Sequence, residues 1–169
     1  MNSSYKSPLL RNLCDQQLAV ATREQLITVA DRSEKLISEL PANETLVFGR
    51  ISQRITGCAD SLVPANSSEQ LSGQILQHDL RLLVEDFTDA ANVNSDEVIE
   101  PVYTVKTLGT HLQVSSKTIS RWRNNGLVSR KIIIDGRKRV AFLASTVERF
   151  VAQNRHRVER GERFSQLSK

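Results

Sequence analysis

The chain has 169 residues, 39% of them hydrophobic and only 5% aromatic, so it can form one domain or two small ones, each with a thin core. No apolar run approaches the roughly 18 residues a membrane helix needs, and the start, Met1-Asn-Ser-Ser-Tyr-Lys6, lacks an apolar signal core, so a cytoplasmic chain without membrane contact is expected. The net charge of +4 conceals an asymmetry: residues 101–169 hold 15 Lys and Arg against 4 Asp and Glu, a net of +11, whereas residues 1–100 hold 8 against 15, a net of −7. A basic half of this density is the footprint expected for a polyanion partner.

The acidic half reads as helical. Thr22-Arg-Glu-Gln25 can cap a helix whose apolar positions Leu26, Val29, Ala30, Leu36, Ile37 and Leu40 recur at helical spacing, with Pro41 after its end. The run from Leu46 to Ile55 is apolar enough to pack. Val63-Pro-Ala-Asn-Ser-Ser68 is turn chemistry, and Ser67 or Ser68 can cap a third helix through Leu71, Ile75, Leu80, Leu82, Leu83 and Val84 to Phe87. Polar residues and Pro101 mark a boundary, giving an acidic helical domain over 1–95 and a linker over 96–102.

From Tyr103 the pattern becomes specific. Val105, Leu108 and Leu112 form one apolar stripe of a short helix, and Gly109 allows a close helix crossing. Gln113 and Val114 make a turn, and Ser115 can cap a second helix that buries Ile119 and Trp122. Its opposite face carries Ser116, Lys117, Ser120, Arg121, Arg123 and Asn124, the types a helix needs in a DNA major groove. Arg pairs with guanine, Asn with adenine, and Lys and Ser reach phosphates. Asn125-Gly126 stops the helix, with Leu127 folding back over its end.

Asp135-Gly136 then predicts a two-residue hairpin, setting Ile134 opposite Arg137, Ile133 opposite Lys138 and Ile132 opposite Arg139. Val140 and Phe142 share the face of Ile133 and can pack on the helices. Arg130, Lys131, Arg137, Lys138 and Arg139 make this hairpin a basic wing able to grip phosphates or enter a minor groove. Ser145-Thr-Val-Glu148 reads as a capping box for a last helix through Phe150 and Val151 to about Val158, stopped by Gly161. The fold class expected is mainly α: an N-terminal helical domain, a winged helix-turn-helix over 103–160 with one β-hairpin and a C-terminal helix, and a tail over 161–169.

His78, His111 and His156 stand apart, and no glycine-rich phosphate loop, paired-carboxylate signature or nucleophile elbow is present. An enzyme is therefore not expected. Cys14 and Cys58 lack any metal-ligand spacing, so neither a metal nor a cofactor is expected.

The order of first helix, Val-Ser turn, Thr-Ile-Ser-Arg-Trp helix, Gly-Leu stop and basic wing resembles the winged helix-turn-helix of MerR-type regulators and excisionases. Val114-Ser-Ser-Lys-Thr-Ile-Ser-Arg-Trp-Arg123, Asp135-Gly-Arg-Lys-Arg-Val140 and Arg160-Gly-Glu-Arg-Phe-Ser-Gln-Leu167 are similar to the amino-terminal extension of planctomycete-type RNA polymerase sigma factors. Arg54-Ile-Thr-Gly57 and His78-Asp-Leu-Arg-Leu-Leu-Val84 share that similarity, which covers roughly Leu46 to Lys169. The resemblance implies an accessory module contacting double-stranded promoter DNA in transcription initiation, with RNA polymerase engaged through a segment absent here; the 161–169 tail is expected to lead into it. Two alternatives stay open: a stand-alone MerR- or excisionase-like regulator dimerising through its acidic half, and a protein-interaction module whose basic half binds an acidic surface.

Overall fold

The computed structural model describes residues 4–58 and 68–167. The chain is mainly helical with two small antiparallel sheets, and it divides into two units, Met1–Ala91 and Asn92–Lys169.

The first unit opens with a helix absent from the expectations above, α1 (Pro8–Val20). Ser7 accepts a hydrogen bond from the Leu10 amide at 3.4 Å, and Pro8 occupies the first turn, where its missing N–H costs nothing. Buried Asp79 holds this end down: its carboxylate accepts the amides of Lys6 at 2.9 Å and Ser7 at 2.7 Å. The expected Thr22 capping box forms, Thr22 N donating to Gln25 Oε1 at 2.8 Å, and starts α2 (Arg23–Glu39). The run from Leu46 to Ile55 splits into β1 (Thr45–Val47) and α3 (Phe48–Thr56), whose Phe48, Ile51 and Ile55 are fully buried.

Of the turn expected over 63–68, residues 63–67 lie outside the described residues. Leu71 is not helical; it belongs to β2 (Gln70–Ser72), which pairs antiparallel with β1, Leu46 opposite Leu71. The third helix expected is α4 (Gly73–Ala91), with Ser72 Oγ accepting the Ile75 amide at 3.4 Å. It packs chiefly along α2 and also against α1. Leu76, Leu80, Leu83, Val84 and Phe87 are buried, so the periodicity marked the core even where it misplaced the start.

The second unit begins earlier than expected. Residues 96–102 are not a linker. A 3-10 turn spans Ser95–Glu97, Asn94 bridges to Ile133, and Ile133 N donates to Val93 O at 2.8 Å, so this stretch lines the edge of the hairpin. Val102–Thr104 is a strand, β3, and with β4 (Arg130–Ile134) and β5 (Arg137–Leu143) it makes an antiparallel sheet in the order β3-β5-β4. With the boundary at Asn92 the second unit carries 15 Lys and Arg against 7 Asp and Glu, a net of +8, and the first 8 against 12, a net of −4. The division by charge survives at a smaller amplitude.

The Ser145 capping box does not form. Helix α7 (Ala144–Gln153) starts after Leu143, and Ser145 instead donates its amide, at 2.6 Å, and its hydroxyl, at 2.9 Å, to the carboxylate of Glu100. A distant carboxylate thus satisfies the helix end that Glu148 was expected to serve. The chain breaks at Asn154 and continues as α8 (Arg155–Leu167), which runs straight through Gly161.

The two cysteines sit in contrasting surroundings, Cys14 buried and Cys58 exposed. Burial pushes the Cys14 thiol up to about 12, aided by the Asp86 carboxylate, to which both Cys14 Sγ and Tyr5 Oη donate. A thiol held above its unfolded value of 9.0 stays protonated in the folded chain, so stability is unaffected by this group below pH 9 and falls as pH rises from there toward 12. At pH 8 the native protein is therefore expected to titrate one thiol rapidly with a disulfide reagent, and Cys14 only on unfolding. Two fast thiols would contradict this burial.

Candidate nucleic-acid interface

The second unit builds its exposed basic face on a short chain of local signals. Thr104 caps α5 (Val105–His111): it accepts the Thr107 amide at 3.1 Å while its own amide donates to Thr107 Oγ1 at 2.8 Å. Leu108 is fully buried, and Val105 and Leu112 pack partly against the same core. Gln113 takes a left-handed conformation, φ 53°, which reverses the chain, and Val114 N donates to Gly109 O at 2.8 Å. Val114 is buried, as its place in the turn predicts.

Gly109 is required here by proximity rather than by φ. A Cβ on this residue would lie 2.8 Å from the Val114 carbonyl oxygen, a backbone atom that cannot swing aside. Ser115 then caps α6 (Ser116–Arg123), accepting the Thr118 amide at 3.2 Å. Ile119 and Trp122 are buried in a core with Leu127, Phe142, Val147, Phe150 and Val158. Trp122 lies against Phe150, ring centroids 5.5 Å apart, so the indole is a packing group. The amides of Asn125 and Leu127 both donate to Trp122 O at 2.9 Å, with Gly126 at φ +106°, and this closes the helix end.

Because α6 turns by about 100° per residue, burial of Ile119 and Trp122 directs Lys117, Ser120, Arg121 and Asn124 to the far side. All four are exposed, as is Ser116 on the flank. The hairpin has the expected register, Ile134 opposite Arg137 through Ile132 opposite Arg139, across a turn with Asp135 at φ 51° and Gly136 at φ 73°. Both central residues have positive φ, the conformation that matches strand twist. Arg137, Lys138 and Arg139 are exposed at and beside its tip.

Three residues expected on this interface are placed otherwise. Arg130 stands opposite Ala141 in the sheet and both are buried, so strand alternation turns this guanidinium to a covered face. Lys131 is half-buried opposite Val140. Arg123 is half-buried, its Nε donating to Ser129 Oγ at 3.0 Å, which ties the end of α6 to the start of β4. Ile132 is fully buried on the face opposite Phe142, and Ile133 only half-buried, so both faces of the sheet are covered near its base.

The cations of the last helix, Arg157 and Arg160 among them, were not counted among the residues expected at this interface. On α8, Arg157 donates to Asn125 O at 3.4 Å, and Gly161 is so close to α6 that a Cβ there would lie 3.1 Å from Trp122 Cζ2. The signal was available: a glycine inside a long helical pattern marks either a stop or a close contact. Among the described residues, no group of three or more His, Cys, Asp or Glu could hold a metal ion, and no helix is long and apolar enough to cross a membrane. No family model matches the chain, and no curated protein or solved structure matches it either.

Gly109→Ala tests how strictly this geometry is set. In an open helix the change would stabilise by about 1 kcal/mol. Here it is expected to destabilise the second unit by about 1–3 kcal/mol, because the new methyl group overpacks against the Val114 carbonyl. The readout is the urea midpoint followed by the fluorescence of Trp122, the chain's one tryptophan, and a gain in stability would contradict the close approach.

Proposed function

We propose that the second unit binds double-stranded DNA as a winged helix-turn-helix, with α6 lying in the major groove and the β4–β5 hairpin gripping the backbone as a wing. The observation that carries this reading is the exposed ridge Lys117, Ser120, Arg121 and Asn124 on a helix whose other side is locked into the core, in a unit of net +8. Arg121 supplies a planar fork suited to guanine, Asn124 an amide suited to adenine, and Lys117 and Ser120 groups suited to base edges or phosphates. Among the described residues no acidic side chain pairs with Arg121 or Lys117, so neither cation has to give up a partner on binding.

The biological setting we infer is that of an accessory module of a bacterial RNA polymerase sigma factor, working in transcription initiation. The resemblance of 114–123, 135–140 and 160–167 to the amino-terminal extension of planctomycete-type sigma factors supports it. The chemistry of the ridge supports the DNA contact independently of that setting.

Arg121→Ala is expected to cost about 1–3 kcal/mol on a preferred duplex, found by selection from random sequences, and to relax preference at one base position. Lys138→Ala is expected to weaken all duplexes alike and flatten the dependence of log K on log salt by about one unit. Fluorescence anisotropy over a salt series separates the two effects. Wild-type affinity in both variants would remove this docking mode.

A further inference from the structure

A helix lying against another usually presents an apolar stripe at i, i+3, i+4 and i+7. Helix α8 buries Val158 in the core with Ile119 and Trp122, and the flank it turns to the cleft beside α6 is Arg157, Arg160, Gly161 and Phe164. Gly161 meets Trp122, Val114 and Thr118 at 3.1–3.4 Å from a notional Cβ, which explains a glycine in a helix interior at a cost of about 1 kcal/mol. That contact leaves a cleft of about 580 Å³ beside it, lined by Arg121, Trp122, Asn125, Arg157, Arg160 and Phe164 among others. Three guanidinium groups therefore border one cleft, and among the described residues no carboxylate lines it. Helical spacing places Glu159 and Glu162 on the other side of α8, away from this stripe.

The walls give the cleft its polarity. Trp122 is buried and Phe164 is two-thirds exposed, so the cleft that the arginines border has apolar as well as cationic lining. Arg157 is partly held by its bond to the Asn125 carbonyl, whereas Arg160 is exposed and, among the described residues, in no ion pair. Arg121 belongs to both features: it closes the α6 ridge on one side and borders the cleft on the other.

We infer that this cleft between α6 and α8 is a second phosphate grip, in which Arg157 and Arg160 hold the DNA backbone on the flank of α6 opposite Arg123 and the hairpin. The inference rests on the DNA-binding reading and extends it. A recognition helix in a major groove lies between two backbones, and a clamp on both flanks fixes its register where a single wing leaves it free to rock. Backbone phosphate is the ligand the cleft suits: arginine forks bind it bidentately, and a chain of phosphates can pass a half-open cleft without entering it completely.

Arg160→Gln and Arg160→Lys in the full chain test the grip, with Lys138→Ala alongside, by anisotropy on short duplexes of random and selected sequence over a salt series. Arg160→Gln is expected to weaken every duplex by the same factor, roughly fivefold to tenfold at 0.1 M salt, and to flatten the salt slope by about one unit. Arg160→Lys is expected to keep the slope. If Arg160→Gln keeps the wild-type slope while Lys138→Ala lowers it, the second grip is overturned and the DNA-binding reading stands. If the wild-type chain shows no salt-dependent binding to any duplex, both fall together.

Discussion

The second unit depends on the burial of Trp122. Its indole packs against Phe150 of α7, its Cζ2 lies at the closest approach of α8, and its carbonyl accepts the two amides that end α6. Helix α7 and helix α8 therefore meet α6 at one side chain, and the backbone of the same residue closes the helix. Deleting such a group would cost about 3–5 kcal/mol, a large part of what keeps a domain of this size folded. The consequence for function is geometric: with Trp122 and Ile119 inward, α6 has one rotational setting, and Lys117, Ser120, Arg121 and Asn124 have to face solvent. The electrostatic face is a by-product of the packing, held rigidly because the packing is rigid.

Gly109 and Gln113 perform the complementary task at the other end of α6. The missing Cβ lets the Val114 carbonyl seat against α5, and the left-handed Gln113 turns the chain in a single residue. Thr104, Ser115 and Gly126 then set where each helix starts or stops. A short helix of seven residues such as α5 is marginal alone and relies on these caps and on burial of Leu108.

What the chain's residues disclosed in advance follows the range of the interactions. The Thr22 box, the Ser115 cap, the Gly126 stop and the Asp135-Gly136 turn are contacts within a few residues, and each stands where its residues indicate. The hairpin register came with the turn. Long-range contacts were illegible. Nothing near Ser145 announces that Glu100 will occupy its amide, nothing in 92–104 announces pairing with the hairpin, and nothing near Gly161 names Trp122 as the neighbour that requires it. Among the hairpin's cations, the burial of Arg130 was illegible because its covered face is decided by the sheet's surroundings, not by its own strand. Helix α1 is a different case: Ser7-Pro8 ahead of Leu9, Leu10 and Leu13 is a readable start that went unread.

The central claim is that the far side of α6 and the tip of the hairpin together form the surface that meets DNA. Its most direct test is a two-dimensional nitrogen–proton NMR titration of the full chain with a short duplex, following backbone amides at low salt. The account predicts shifts concentrated at 116–124 and 135–139, with the amides of α2 and α4 unchanged. Shifts confined to residues 1–91, or none at all, would contradict it.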